Sequence, residues 1–372
     1  MIVYIKAICL FIALTGTASI TNASSPFSED LITGENFSFQ QKDSFFSDYL
    51  NQDVIYKLDY TRWLPKESNG QVIIYNHGLQ SHRAWFNHTA ERLSELGYTV
   101  YAFDRIGSGT SSAAYGIKGY RLGLEGFTSL LTDVEVLPLR GHIHDYRIFL
   151  DSIDLMINIV KSEQAEKPIH LWANSYGAKI ITRYLMDHER ADKVTSAVFT
   201  TPGLFRNKES MPLTFSKIDL ILGKNTDTFP SPVTPFNHDN GASWFTDKEP
   251  WLSKIANDPL SVRVMTRKLA LQTQSMDGFI EDNISGNTAI SSVPRFYLLV
   301  KGDPMMDNQK VIKHIKKINA ASEIKYYQGG PSHKHFLTFT DDAKQAISDI
   351  HGFISQHTIS NRTAKQVSFH EN

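Results

Sequence analysis

Three segments carry side chains whose types and order suit covalent acyl transfer: Trp172-Ala-Asn-Ser175-Tyr-Gly177, Lys301-Gly-Asp303-Pro-Met-Met-Asp307 and Gly329-Gly-Pro-Ser-His333-Lys-His335. A serine hydroxyl is a weak nucleophile until a base takes its proton, and an imidazole does so best when a carboxylate fixes its tautomer. The order Ser, acid, His separates this layout from the two protease orders that use the same groups. Ser175 is the expected nucleophile. Asp303 is the expected acid and Asp307 its competitor. The final loop offers two candidate bases, His333 and His335, either of which suits the chemistry. The bland alternative is a helix-capping serine and two ordinary turns.

Such a nucleophile needs a strand turning sharply into a helix. Pro168-Ile-His-Leu-Trp-Ala173 has the character of a short buried strand, and Ile180, Ile181, Tyr184 and Leu185 follow at helical spacing. The strained turn wants small neighbours two residues away on each side, here Ala173 and Gly177. A tetrahedral intermediate also needs two N–H donors aimed at its oxyanion. One belongs to Tyr176, after the nucleophile. The other is expected at Leu79, where the apolar strand Val72-Ile-Ile-Tyr75 runs into Asn-His77-Gly78. Asp303 lies two residues beyond the apolar run Phe296–Val300, and the histidines follow Glu323–Gln328, the last expected strand.

A further strand, Tyr98–Phe103, ends in Asp104-Arg105-Ile-Gly107-Ser-Gly109-Thr-Ser111. With this turn added, the chain from about Phe45 to Phe353 resembles the α/β-hydrolases grouped as monoacylglycerol lipases, lysophospholipases and serine aminopeptidase-like hydrolases. Those proteins share an HG-x loop, a D-x-R-G-x-G-x-S-like turn, a G-x-S-x-G elbow, a late acid and a His near the end. The chain departs from the pattern at Ala173 and in having its arginine next to Asp104. The resemblance implies His333, which stands after Gly330 where related hydrolases place their histidine, as the base in preference to His335. It also implies a structural role for the Asp104-Arg105 turn, and a lid inserted between the strand ending near Thr201 and the one starting near Val293.

Strands alternating with helices argue independently for an α/β fold, a mainly parallel sheet covered by helices on both faces. Early antiparallel strands are expected between Phe37 and Pro65. Helices are expected around Trp85–Leu96, Tyr146–Val160 and Ala343–Phe353. The N-terminus has one lysine, an apolar run Ala7–Leu14 and small residues to Ala23, the layout of a secretory signal peptide. An uncleaved anchor is its alternative. Cys9, the single cysteine, lies in that run, so a cleaved chain has no thiol and no disulfide. The expected organisation is a signal peptide at 1–23, core at 24–203, lid at 204–292, core at 293–357 and a tail at 358–372.

Of the 372 residues, 41% are hydrophobic and 21% charged, which suits a buried core and argues against disorder. A net charge of −1 with no basic stripe gives no reason to expect nucleic acid as a partner. His142-Ile-His144 lacks further ligands in a recognisable spacing, so neither metal nor cofactor is expected. The lid segment contains Leu213, Phe215, Phe229, Phe236, Trp244, Phe245, Trp251, Leu252 and Met265. These side chains need burial, and some are expected to roof an apolar acyl pocket.

Three function classes follow. The first is an exported serine hydrolase of acyl esters, of carboxylesterase, lysophospholipase or monoacylglycerol lipase type, with a small ester or lipid as substrate. A lid of this composition leaves transient contact with a membrane surface open. The second is an aminopeptidase using the same triad, with Asp239, Asp247 or Glu249 available to bind a free amine. The third is a non-catalytic binding protein on this scaffold, against which the complete set of triad candidates speaks.

Overall fold

The continuous apolar runs become the interior of one sheet because strands with helices on both sides must be apolar on both sides. A computed structural model describes residues 25–28, 34–42, 55–111, 120–123, 126–129, 140–164, 166–211, 216–223, 228–231, 239–318 and 322–369. The strands of the main sheet are β1 (Glu35–Lys42), β2 (Ile55–Trp63), β3 (Val72–Asn76), β4 (Thr99–Phe103), β5 (Ile169–Asn174), β6 (Ser196–Thr200), β7 (Arg295–Val300) and β8 (Ser322–Tyr327). They form an eight-stranded sheet in the order β1-β2-β4-β3-β5-β6-β7-β8. The pairings of β1 with β2 and of β2 with β4 are antiparallel. All the others are parallel.

Alternation along the strands sorts the core into two layers. Val72 and Ile74 of β3 join the larger one, with Ile153 and Ile157 of α2 (Arg147–Gln164) and Ile180 and Ile181 of α3 (Tyr176–Leu185). Ile73 and Tyr75 face the other way, onto Ala90 and Leu93 of α1 (Asn87–Glu95) and Ile347, Ile350 and Phe353 of the last helix. Every residue of β3 to β7 is buried, as helices on both faces require. The α/β sandwich expected from the alternation of strands and helices is therefore present, and the last helix runs from Ala343 to Phe369, into the expected tail.

The expected signal peptide, with Cys9, lies outside the described residues, as do Phe45, Leu213, Phe215 and Phe236. The first described segment, Ser25–Ser28, is anchored through Phe27, which is 1% exposed and stacks on Trp85 at 5.4 Å and on Phe339 at 5.9 Å. Trp251 joins that stack from the inserted segment, 4.4 Å from Phe339. The anchor is also polar: His82 Nε2 meets Asp258 Oδ2 at 2.7 Å, and Trp85 Nε1 donates to the same oxygen at 2.7 Å. Within 204–292 the longest helix is α4 (Arg267–Asn283), which packs on α3. Past β7 comes α5 (Asn308–Ile315), capped by the Asp307 carboxylate, which accepts from the Lys310 amide at 3.1 Å.

Candidate active site

Ser175 stands between β5 and α3 with φ 50° and ψ −119°, a conformation that non-glycine residues occupy only where their surroundings impose it. The imposition is visible. The Ser175 amide donates to the Thr200 carbonyl at 3.0 Å, and the Asn174 side chain reaches Thr201 Oγ1 at 3.0 Å. Glycine is required at two adjoining positions. A Cβ on Gly177 would meet the Asn76 carbonyl at 2.2 Å, and one on Gly203 would meet the Ser175 carbonyl carbon at 2.6 Å. Ala173, the departure from the family pattern, is a fully buried strand residue paired with Asn76 and Phe199, so its methyl belongs to the core.

Asp303 sits in the turn after β7, and one of its oxygens accepts from the amides of Met305 (2.8 Å) and Met306 (3.3 Å). The other lies 2.7 Å from His335 Nδ1, and neither side chain is exposed. This corrects the expectation of His333. Between Gln328 and His335 the chain makes a compact loop with positive φ at Gly329, Gly330 and His333, closed by Lys334 N donating to the Gly329 carbonyl at 2.7 Å. That turn spends His333 on the loop itself, where its Nδ1 lies 3.0 Å from the Gln328 carbonyl. His335 is delivered inward instead, its amide donating to the Trp244 carbonyl at 3.0 Å. His335 Nε2 is buried and has no hydrogen-bond partner among the described residues. Asp307, the competing acid, is committed to α5 and to Lys310, and those bonds hold its carboxyl below the usual range.

The loop after β3 is held from beneath. The Arg105 amide donates to His77 Nε2 at 3.0 Å, which leaves the proton on Nδ1, 2.8 Å from the Gly78 carbonyl. Burial first, and then the Arg105 charge, push His77 well below its ordinary pKa, so it is a neutral donor. Arg105 Nη2 also donates to the Gly78 carbonyl at 2.8 Å. The partner carboxylate of this turn, Asp104, accepts from Arg83 and from the Thr110 amide. Burial alone would raise the Asp104 pKa, but Arg83, His82 and His77 together with the Arg83 amide outweigh it, and the net shift is downward. Gly109, at φ 54°, leaves room for that carboxylate, which an added Cβ would meet at 2.3 Å.

A cavity of about 520 Å³ opens beside Ser175. Leu79, Leu204, Phe205, Met211, Met265 and Ile280 give it an apolar wall, and α4 crosses it. Two contacts tie that helix to the nucleophile's helix: Tyr176 OH to Thr273 Oγ1 at 2.9 Å, and Lys179 Nζ to Asp277 Oδ1 at 2.6 Å. His314 of α5 also lines the cavity, and burial, with Lys317 nearby, lowers its pKa to about 4. Trp244 and Trp251, candidates for the roof, are not lining residues; they pack on the cluster around Phe27 and Trp85. Among the described members of that set, Met265 does line the cavity. Asp239, Asp247 and Glu249 also lie outside the lining, and Asp239 instead accepts from the Gly241 and Ser243 amides.

Among the described residues, no cluster of three or more His, Cys, Asp or Glu side chains is arranged to hold a metal, and no helix is long and apolar enough to cross a membrane. His142 and His144 stack edge to face at 5.0 Å, with His142 Nδ1 on Thr266 Oγ1 at 3.1 Å.

The family described as Hydrolase_4, "Serine aminopeptidase, S33", matches residues 67–337. A "Putative monoglyceride lipase" of Schizosaccharomyces pombe is 24% identical over 319 residues, which is 84% of this chain and 74% of that protein. Among solved structures, a soluble variant of monoglyceride lipase from Saccharomyces cerevisiae, in complex with a substrate analog, superposes with TM-score 0.63 at 16% identity, covering 85% of this chain and 94% of its own. The monoacylglycerol lipase of Paleococcus ferrophilus gives TM-score 0.60 at 16% identity over 81% of this chain and 99% of that one.

Proposed function

Since the chain belongs to the Serine aminopeptidase, S33 family of α/β-hydrolases, among relatives of the monoacylglycerol lipase and lysophospholipase type, we propose that it cleaves acyl esters through an acyl-enzyme on Ser175. The observation that carries this reading is the buried Asp303–His335 pair, which fixes the imidazole's Nδ1 and leaves Nε2 without a partner among the described residues. In the proposed cycle Nε2 takes the Ser175 proton as Oγ attacks the ester carbonyl. The carbonyl oxygen becomes an oxyanion between the amides of Leu79 and Tyr176. Nε2 then protonates the departing alcohol. Water repeats the sequence on the acyl-enzyme and releases the acid.

The apolar wall around Ser175 supports an acyl chain as the group bound in the cavity. Each methylene placed there stabilises the complex by up to about 0.8 kcal/mol. The peptidase reading loses the three acids expected to hold a free amine, which are not in the cavity wall, and would have to rest on Asp277, which is paired with Lys179, or on Glu281, both of which line it. The N-terminal segment supports export with cleavage near Ala18 or Ala23, so that the enzyme meets its ester outside the cytoplasm. N-terminal sequencing of the protein recovered from cells tests this: an intact Met1 on cytoplasmic protein contradicts it. The activity is tested with monoacylglycerols and p-nitrophenyl esters of two to twelve acyl carbons alongside aminoacyl p-nitroanilides. Turnover rising several-fold from acetyl to about octanoyl esters, and abolished in Ser175→Ala, is the expected result. Turnover of the aminoacyl substrates alone contradicts it.

A further inference from the structure

Each donor proposed for the oxyanion belongs to a peptide group whose carbonyl points the opposite way, because C=O and N–H are antiparallel across a trans peptide. Holding the carbonyl therefore aims the amide. Behind the Tyr176 amide, the Ser175 carbonyl accepts from Ala178 N at 2.9 Å and Gly203 N at 2.8 Å. Behind the Leu79 amide, the Gly78 carbonyl accepts from His77 Nδ1 at 2.8 Å and Arg105 Nη2 at 2.8 Å. Both peptides are thus clamped by two donors, but one clamp contains a cation.

That cation is placed unusually. Arg105 is 2% exposed, and no carboxylate pairs with it among the described residues, because Arg83 engages the adjacent Asp104. Its guanidinium lies 5.1 Å from the Tyr176 ring centroid and 5.3 Å from that of Phe149, and Nη2 also reaches the Leu79 carbonyl at 3.3 Å. One buried positive charge touches both residues that supply the donors. A hydrogen bond to a peptide carbonyl polarises the N–H of the same group, and a fixed charge in a dry interior acts more strongly than it would in water.

We propose that Arg105 is a positioning residue for oxyanion stabilisation, orienting and polarising the Gly78–Leu79 peptide and setting a permanent positive charge behind the site where negative charge develops. The proposal rests on the Ser175 reading. It requires that the loss of Arg105 weaken the transition state and not the ground state, since the oxyanion exists only in the former.

The test uses the full-length enzyme with Arg105→Met and Arg105→Lys. A fluorophosphonate, allowed to react to completion, counts functional sites so that misfolded protein drops out of the rate. Per titrated site, Arg105→Met should lose about 10- to 100-fold in kcat with KM changed less than about threefold. The Ki of a trifluoromethyl ketone of matched chain, which binds as a tetrahedral oxyanion, should rise by the same factor as kcat falls. Arg105→Lys, which keeps the charge but not the two-carbonyl reach, should recover part of the loss. Unchanged kcat per titrated site, with only melting temperature or site count reduced, means that Arg105 is merely structural and overturns the proposal. So does a rise in KM equal to the rise in Ki. If the Met variant fails to fold, the Lys variant decides alone: kcat lowered at least about threefold with Ki in step supports the proposal, and wild-type values overturn it. Wild-type enzyme that the fluorophosphonate leaves unlabelled would overturn the Ser175 reading and this proposal together, whereas labelled sites with normal turnover overturn this proposal only.

Discussion

His335 Nδ1 lies 2.7 Å from Asp303 Oδ2 in a site that neither side chain shares with solvent. In the proposed cycle this pairing makes the second histidine of the final loop the base. His335→Ala should therefore lower kcat/KM for an octanoyl ester by at least about a thousandfold, while His333→Ala stays within a few-fold of wild type. Asp303→Asn should lose about ten-thousandfold by freeing the wrong tautomer, and Asp307→Asn should mainly weaken the cap of α5. Steady-state kinetics on the four variants checks this; a dead His333→Ala with an active His335→Ala reverses the assignment.

Gly203 gives a second prediction. A methyl there would stand 2.6 Å from the Ser175 carbonyl carbon and 2.8 Å from the Tyr176 nitrogen. Gly203→Ala should displace the elbow and reduce kcat at least about tenfold, since small misplacements of catalytic groups are costly. Loss of the active site without loss of the fold is read by comparing kcat with the far-ultraviolet melt.

These two residues show where the sequence was legible and where it was not. Ser175 could be found because the buried strand, tight turn and amphipathic helix around it are local patterns. Asp303 could be found because it directly follows an apolar strand. His335 could not be told from His333, because three positive-φ residues fold the intervening loop in a way that spacing does not express. Gly203 and Arg105 come from loops remote from Ser175 in the chain, and their roles depend on close approach. A Thr-Pro-Gly segment following β6 was the one local hint of the former. Of the insertion's aromatic residues that the structure describes, Phe245 is buried and Phe229, Trp244 and Trp251 are partly buried. Their composition could not say that Trp251 would stack on Phe27 and Phe339 instead of lying over the cavity.

Trp251 and the cavity should accordingly respond to different measurements. Trp251→Ala should destabilise the fold by about 3 kcal/mol and leave the acyl-length profile of kcat/KM unchanged. Ala270→Phe, at a buried position in the cavity wall, should move the preferred ester to shorter chains by filling the space a longer chain uses. A flattened profile in Trp251→Ala would return that side chain to the pocket.

The Asp258 anchor sets a pH dependence of stability. Burial alone would raise its pKa, but the His82 charge and the hydrogen bonds from His82 and Trp85 bring it down to about 2. A carboxyl whose folded value lies below its unfolded value stabilises the fold above the unfolded value, near pH 4, and loses that contribution as pH falls through 2. The contribution is about 2 kcal/mol. Urea unfolding between pH 5 and pH 2 should show wild-type stability falling by about that much more than the stability of Asp258→Asn. Parallel curves for the two proteins contradict the assignment.

The acyl-enzyme can be observed directly. Full-length protein mixed with p-nitrophenyl octanoate, whose activated leaving group favours acylation over deacylation so that the acyl-enzyme accumulates, quenched in acid within seconds and digested, should yield the Ser175 peptide heavier by one octanoyl group. The adduct should be absent from Ser175→Ala and form at least about a hundredfold more slowly in His335→Ala. Ester turnover by wild-type protein with no adduct on Ser175, or with the adduct on another residue, would contradict the mechanism at its first step.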